Sequence, residues 1–133
     1  MKEQRTSKPD AKPVFSIITI NYNGGELLSG TMESVRQQTY PHIEYWVIDG
    51  GSKDHSLEII RGFAAQIPNL HWISEPDRGL YDAMNKGLRR ATGDFVWFLN
   101  GGDQLHSPDT VEKVAELAGP DTGVLYCETL IVD

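Results

Sequence analysis

Val14-Phe15-Ser16-Ile17-Ile18-Thr19-Ile20 runs straight into Asn21-Tyr22-Asn23-Gly24-Gly25. The first stretch is rich in β-branched residues and the second in turn-formers, so the pair reads as a strand ending in a glycine-rich loop. Leu28, Met32 and Val35 follow at helical spacing, and Gln37 to Pro41 ends that run. The pattern then repeats. Ile43 to Ile48 is a second strand, and Asp49-Gly50-Gly51-Ser52-Lys53-Asp54 is its loop. Ser52 or Asp54 is placed there to cap a helix carrying Leu57, Ile60 and Ala64. Leu70 to Ile73 is a third strand, followed by Ser74-Glu75-Pro76-Asp77-Arg78-Gly79. Leu80, Ala83, Met84, Gly87, Leu88 and Ala91 then mark the apolar face of the clearest helix, with Asp82 and Lys86 as an i,i+4 pair on its flank.

Phe95-Val96-Trp97-Phe98-Leu99 shows no polar alternation, as expected of a strand covered on both faces, and it runs into Asn100-Gly101-Gly102-Asp103. Ser107 and Pro108 stand as N-cap and first residue of a further helix with Val111, Val114, Ala115 and Ala118 inward, ended by Gly119-Pro120. Gly123 to Cys127 and Thr129 to Val132 read as strands. Strands alternating with helices through short loops predict an α/β domain built on a mostly parallel sheet. Ligands of such sheets sit beyond the carboxyl ends of the strands. The loops at 21–25, 49–54, 74–79 and 100–103 are therefore expected to share one edge and to carry the chemistry.

A length of 133 residues suits one domain, here residues 14–133, preceded by a polar leader at residues 1–13 that has no apolar core. The net charge of −7 repels nucleic acid and anionic membrane, so an anionic ligand needs a local site or a bound cation. Cys127 is the only cysteine, which excludes an intrachain disulfide and a cysteine-based zinc cluster and fits the cytoplasm. No apolar run is long enough to span a bilayer, although peripheral contact at the inner face of the membrane stays compatible with the sequence.

Asp49 would face the ligand edge beside a backbone with little steric cover, or bond its own turn. Asp103, after an apolar strand and two glycines, suits a divalent cation whose shell is completed by water and substrate phosphate, or is a surface-loop residue. Arg78 would pair with a diphosphate or with its neighbours Glu75 and Asp77, and Asp82, Asn85 and Lys86 read as helix face near an anion-favouring N-terminus. His106 reads as a solvent-facing loop residue, and Trp46, Trp72 and Trp97 as core. Serine-hydrolase elbows, the phosphate-binding G-x-x-x-x-G-K-[ST] loop and the G-x-G-x-x-G fingerprint are all missing.

Taken in order, five blocks resemble the donor-binding part of the family 2 glycosyltransferases, an inverting family with the GT-A nucleotide-sugar fold. They are Phe15 to Asn23, Ser34 to Tyr40, Val47 to Asp54, Asp77-Arg78-Gly79 with Ala83 to Gly87, and Ala91-Thr92-Gly93-Asp94. The string Ser74 to Gly87 is similar to a subgroup associated with bacterial surface polysaccharide of the colanic-acid type. The resemblance implies a Rossmann-like GT-A sheet flanked by helices. It also implies transfer of a sugar from a UDP- or GDP-linked donor to a glycan or lipid-linked acceptor. Nucleotide contacts are implied at Thr19, Asn21, Asn23, Asp49, Asp77, Arg78 and Asn85, and a Mn²⁺ or Mg²⁺ ion at Asp103.

Two departures from the family pattern stand out. The usual second Asp after Asp49 is Gly50, and Asn100-Gly101-Gly102-Asp103 keeps only the last carboxylate of the metal motif. Family members normally continue beyond this point with an acceptor site and a general base, for which this sequence shows no counterpart. The expectation is an apparently truncated enzyme. Its alternative is a non-catalytic module that binds nucleotide sugar, with self-association through the edge left open.

Overall fold

The chain orders its elements as β1 (Phe15–Asn21), α1 (Glu26–Arg36), β2 (Ile43–Asp49), α2 (Ser56–Ala64), β3 (Leu70–Ser74), α3 (Leu80–Arg90), β4 (Phe95–Phe98), β5 (Gln104–Leu105), α4 (Thr110–Leu117) and β6 (Ile131–Val132). The computed structural model describes residues 12–117 and the backbone of 131–132. The expectations for residues 1–11, for Ala118 to Pro120 and for the strands between 123 and 130 lie outside the described residues. β1 to β4 form one parallel sheet in the order β3-β2-β1-β4. The mostly parallel α/β sheet expected from the alternation is therefore present.

Side chains alternate across a strand, and β1 uses both directions. Phe15 and Ile17 point to one face, where they pack with Leu28, Met32 and Val35 of α1, Ile60 of α2 and Val111 and Val114 of α4. Ile18 points to the other and meets Ile48 and Ala83 of α3. Leu28 and Met32 are wholly buried, and each such side chain contributes about 1.5–3 kcal/mol over an exposed one. Of the tryptophans, Trp97 is core, whereas Trp46 and Trp72 are only partly buried.

The face of α3 differs from the periodicity reading. Its buried residues are Ala83, Lys86 and Gly87, while Leu80 and Leu88 stay exposed at 50% and 43%. A methyl at Gly87 would stand 2.6 Å from Ile18 Cγ2, so the helix lies on β1 through its smallest residue. That close approach turns the large leucines outward and brings Lys86, expected on a solvated flank, under cover.

Glu44 fixes the far end of this helix. Its carboxylate accepts hydrogen bonds from Ser16 Oγ at 2.6 Å and from Thr92 N and Oγ1 at 2.9 and 2.7 Å. Burial alone would raise the Glu44 carboxyl, but these bonds outweigh it and hold the group below the usual glutamate range.

Two further local expectations change. Helix α4 begins at Thr110, because Ser107 Oγ donates to Asp109 Oδ1 instead of accepting from the helix backbone. Helix α2 has His55 as its N-cap with no side-chain cap bond, so neither Ser52, whose Oγ donates to Asp49, nor Asp54, whose Oδ1 accepts from Ser56 N at 2.9 Å, takes that position. β5 was not foreseen. It pairs antiparallel with β6 in a separate two-stranded sheet, so Ile131–Val132 does not extend the parallel sheet.

Candidate functional site

Register brings the last residues of three strands to one level, since Asn21 pairs with Asp49 and Asp49 with Ser74. Three polar side chains thus close the sheet where its apolar residues stop. Asp49 is their hub. Its Oδ1 accepts from Asn21 Nδ2 at 2.9 Å and Ser52 Oγ at 2.6 Å, and its Oδ2 from Gly51 N at 3.0 Å, Ser52 N at 2.8 Å and Ser74 Oγ at 2.8 Å. Burial would raise this carboxyl, but the donors, led by Ser52, prevail and keep it lowered. Asp49 is 0% exposed. Its carboxylate therefore organises its own turn and the ends of both neighbouring strands.

Asn23 joins the same network from the β1–α1 loop. Its N–H donates to Ser52 Oγ and its Oδ1 accepts from Lys53 N, each at 2.8 Å. The backbone is left-handed at Asn23, φ 51°, a conformation asparagine tolerates better than most residues.

The order β3-β2-β1-β4 reverses the direction of winding between β1 and β4. Such a reversal opens a crevice where ligands of open α/β sheets bind. Loops 21–25 and 100–103 flank it, and Gly101 N donates to Ile20 O at 3.0 Å. Among the described residues, the buried side-chain oxygens without a hydrogen-bond partner are Asn21 Oδ1 and Asn100 Oδ1. Asn21 is only 3% exposed. Turning its amide around would set the oxygen against Asp49, so the orientation is fixed. Methyls at Gly24 and Gly101 would lie 2.1 and 3.2 Å from that oxygen. Glycine at both places leaves it room.

Asn100 and Asp103 belong to one turn, with Asp103 N donating to Asn100 O at 2.9 Å. Gly102 N donates to Thr31 Oγ1 at 2.8 Å and so holds that turn against α1. The half-buried Asp103 carboxylate has no partner among the described residues. An amide oxygen and a carboxylate in one turn are the oxygen ligands that Mg²⁺ and Mn²⁺ take, so the residues fit such an ion. No group of three or more His, Cys, Asp or Glu among the described residues is arranged to hold a metal. The protein's share of such an ion's shell would be small.

The β3–α3 loop reaches over the same edge. A methyl at Gly50 would fall 2.8 Å from Asp77 Oδ2 and 3.4 Å from Tyr22 Cδ1, so a carboxylate and a ring flank the Gly50 backbone. Tyr22 is 61% exposed. Arg78 is exposed beside them, and its guanidinium pairs with no carboxylate among the described residues. Glu75 instead pairs with Lys86, at 3.1 Å.

Asn21, Asn23, Asp49, Asp77, Arg78 and Asp103 thus share the carboxyl edge. Thr19 does not. It is wholly buried below the row, with its hydroxyl 2.7 Å from Tyr45 Oη, and it offers a ligand no surface. Asn85 lies exposed on α3 without a hydrogen bond to the loops. His106 is exposed as expected. Ser74, Tyr22 and Asn100 were given no role by the sequence reading, and Lys86 was read as solvated helix face. Ser74, Tyr22 and Asn100 all stand inside loops already quoted, and that placement was their local signal.

The chain matches the family described as "Glycosyl transferase family 2" over residues 16–132. An uncharacterized glycosyltransferase of Mycobacterium tuberculosis is 44% identical over 105 residues, covering 78% of this chain and 39% of the relative. The chain thus spans about two-fifths of the length of the curated relatives it matches. Among solved structures, a mannosyltransferase from Pyrobaculum calidifontis in complex with GDP-Man and Mn²⁺ superposes with a TM-score of 0.76 at 27% identity, over 92% of this chain and 39% of that one. Staphylococcus aureus TarS residues 1–349 in complex with UDP-GlcNAc superposes with a TM-score of 0.70 at 26% identity, over 77% and 30%.

Proposed function

The chain belongs to glycosyl transferase family 2, and from that premise we propose that it binds a UDP- or GDP-linked sugar at the carboxyl edge of its sheet. The sugar passes, with inversion, to a glycan or lipid-linked acceptor in polysaccharide biosynthesis. The observation that carries this proposal is the pair of unpartnered oxygens, Asn21 Oδ1 and Asn100 Oδ1, on the two loops that flank the β1/β4 crevice. A buried acceptor without a donor costs about 1–3 kcal/mol, which a ligand N–H, O–H or cation would recover.

Each remaining group has a role that its placement supports. Asp49 holds the loops, and Asn21 and Asn23 line the floor. Tyr22 presents an open ring to a flat base, and Asp77 stands over Gly50 where ribose hydroxyls could donate. The fork of Arg78 matches phosphate oxygens. A Mn²⁺ or Mg²⁺ ion held by Asn100 and Asp103 would supply charge neutralisation to the departing diphosphate. Positive charge aimed at the leaving group lowers the barrier most where charge develops. No described helix is long and apolar enough to cross a membrane. We place the reaction in the cytoplasm, at the inner face of the membrane when the acceptor is lipid-linked.

Calorimetric titration with UDP, GDP and their sugar conjugates, in Mn²⁺ and then in EDTA, tests the proposal. Metal-enhanced binding of one nucleotide class is the expected result. A folded chain that binds none of them in either buffer would refute it.

A further inference from the structure

Lys86 is the basic side chain that the fold buries among the described residues, at 7% exposed. Its Nζ donates to Pro76 O at 2.9 Å, pairs with Glu75 Oε2 at 3.1 Å and lies 3.8 Å from Asp82 Oδ2. The other carboxylates of this segment are also engaged. Asp82 Oδ2 accepts from Arg78 N at 2.9 Å, and Asp77 Oδ1 from Gly79 N at 3.1 Å. Arg78 therefore sits among Glu75, Asp77 and Asp82, yet its guanidinium meets none of them.

Proximity alone would favour an ion pair within this loop, and an exposed pair of that kind is only weakly held. A buried ammonium is a stronger competitor, because leaving it without a carboxylate strands an uncompensated charge. Glu75 accordingly goes to Lys86. The same ammonium ties Pro76 to α3 and so holds the loop with Asp77 over Gly50.

We infer that Lys86 is a positioning residue that keeps Arg78 free for an anion. By engaging Glu75 it removes the carboxylate that would otherwise close on the guanidinium, and Arg78 then meets the diphosphate of the nucleotide. This rests on the nucleotide-sugar site proposed above and adds how the site's positive charge is kept from neutralising itself.

The test is a rescue. UDP and GDP are titrated in EDTA, so that only protein charge meets the diphosphate. Lys86→Met should weaken binding up to about fivefold, the most that a weakly held exposed pair withholds from the phosphate. Adding Glu75→Gln to that variant removes the freed competitor and should restore the parental affinity. In an Arg78→Ala background, Lys86→Met should cost nothing further. A purely structural Lys86 predicts the opposite. The double variant would then bind as weakly as Lys86→Met, which would overturn the inference. Should Lys86→Met not fold, the parent still decides by NMR. Its Arg78 Nε–H should exchange with water as fast as in free arginine and should not shift on Glu75→Gln, whereas protection or a shift would overturn the inference. A parent that binds neither nucleotide sinks the proposed function and this inference with it. A parent that binds without rescue sinks the inference alone.

Discussion

Strand β2 carries a buried carboxylate near each end, and the two ends of the sheet treat their polar groups differently. At the amino end, Glu44 takes Ser16 and Thr92, Ser16 Oγ in turn accepts from Gly93 N at 2.8 Å, and Asp94 Oδ2 accepts from Val14 N at 2.8 Å. These carboxylates and hydroxyls are matched within the chain and anchor a helix end, whereas the buried groups left without a partner in the body of the sheet are donors, the indole N–H groups of Trp46 and Trp97. At the carboxyl end, Asp49 is at least as well satisfied, yet the residues around it are not. Among the described residues, Asn21 Oδ1 and Asn100 Oδ1 lack donors, Tyr22 is open to solvent and the Arg78 guanidinium meets no carboxylate. Buried polar groups are ordinarily paired. Unpaired acceptors gathered at one edge are what distinguishes the proposed ligand surface from the anchored end.

The largest expected effect comes from removing the hub. Asp49→Ala would leave the Asn21 amide, the Ser52 and Ser74 hydroxyls and two backbone N–H groups without their acceptor, a loss of about 3 kcal/mol in urea unfolding. Nucleotide binding should disappear with it, in Mn²⁺ and in EDTA alike. A folded variant with parental affinity would remove Asp49 from the site.

Glu44→Gln should cost less, about 1–2 kcal/mol, since an amide oxygen still accepts from Thr92 or Ser16 but the charge that strengthens both bonds is gone. Affinity for UDP and GDP should stay at the parental value, because the change lies at the opposite end of the strand. The pH dependence follows from the lowered carboxyls of Glu44 and Asp49. A depressed native pKa contributes stability that is complete above the ordinary carboxylate range and is lost as pH falls through the native value. Unfolding free energy of the parent should therefore drop on acidification below that range, and Glu44→Gln should flatten the drop. Equal acid limbs in parent and variant would show that Glu44 is not held in its charged form.

The alternation of β-branched runs and glycine-rich loops was enough to foresee the parallel sheet and the common edge of its loops. Both follow from local pattern together with the rule that crossovers between parallel strands need a helix. What stayed hidden depends on distances that no local pattern encodes. The level row Asn21, Asp49 and Ser74 is a consequence of strand register. Periodicity placed Leu80 and Leu88 inward because it weighs hydrophobicity, whereas the packing of α3 was decided by the room Gly87 gives Ile18. Lys86 was read as solvated for the same reason. Thr19 drew attention through its place in a motif, but strand alternation sends its hydroxyl inward to Tyr45. The β5–β6 pairing joins two-residue strands far apart in sequence, too short for any periodicity to register.

The smallest expected effect on stability is at Asp103, and it sharpens the contrast most. Its carboxylate is half-buried and bonds to nothing among the described residues, so Asp103→Ala should change unfolding by no more than about 0.5 kcal/mol. The turn survives, since Thr31 holds Gly102 and Asn100 O holds the Asp103 backbone. Binding of UDP or GDP in EDTA should match the parent, while the gain from adding Mn²⁺ should vanish. The same metal gain in variant and parent would refute the assignment of Asp103. Loss of stability would count against the division between the two edges, because it would mean that this carboxylate serves the fold. A carboxylate that can be deleted without harm to the fold, yet whose deletion removes only the metal-dependent part of binding, is what an edge reserved for a ligand should contain.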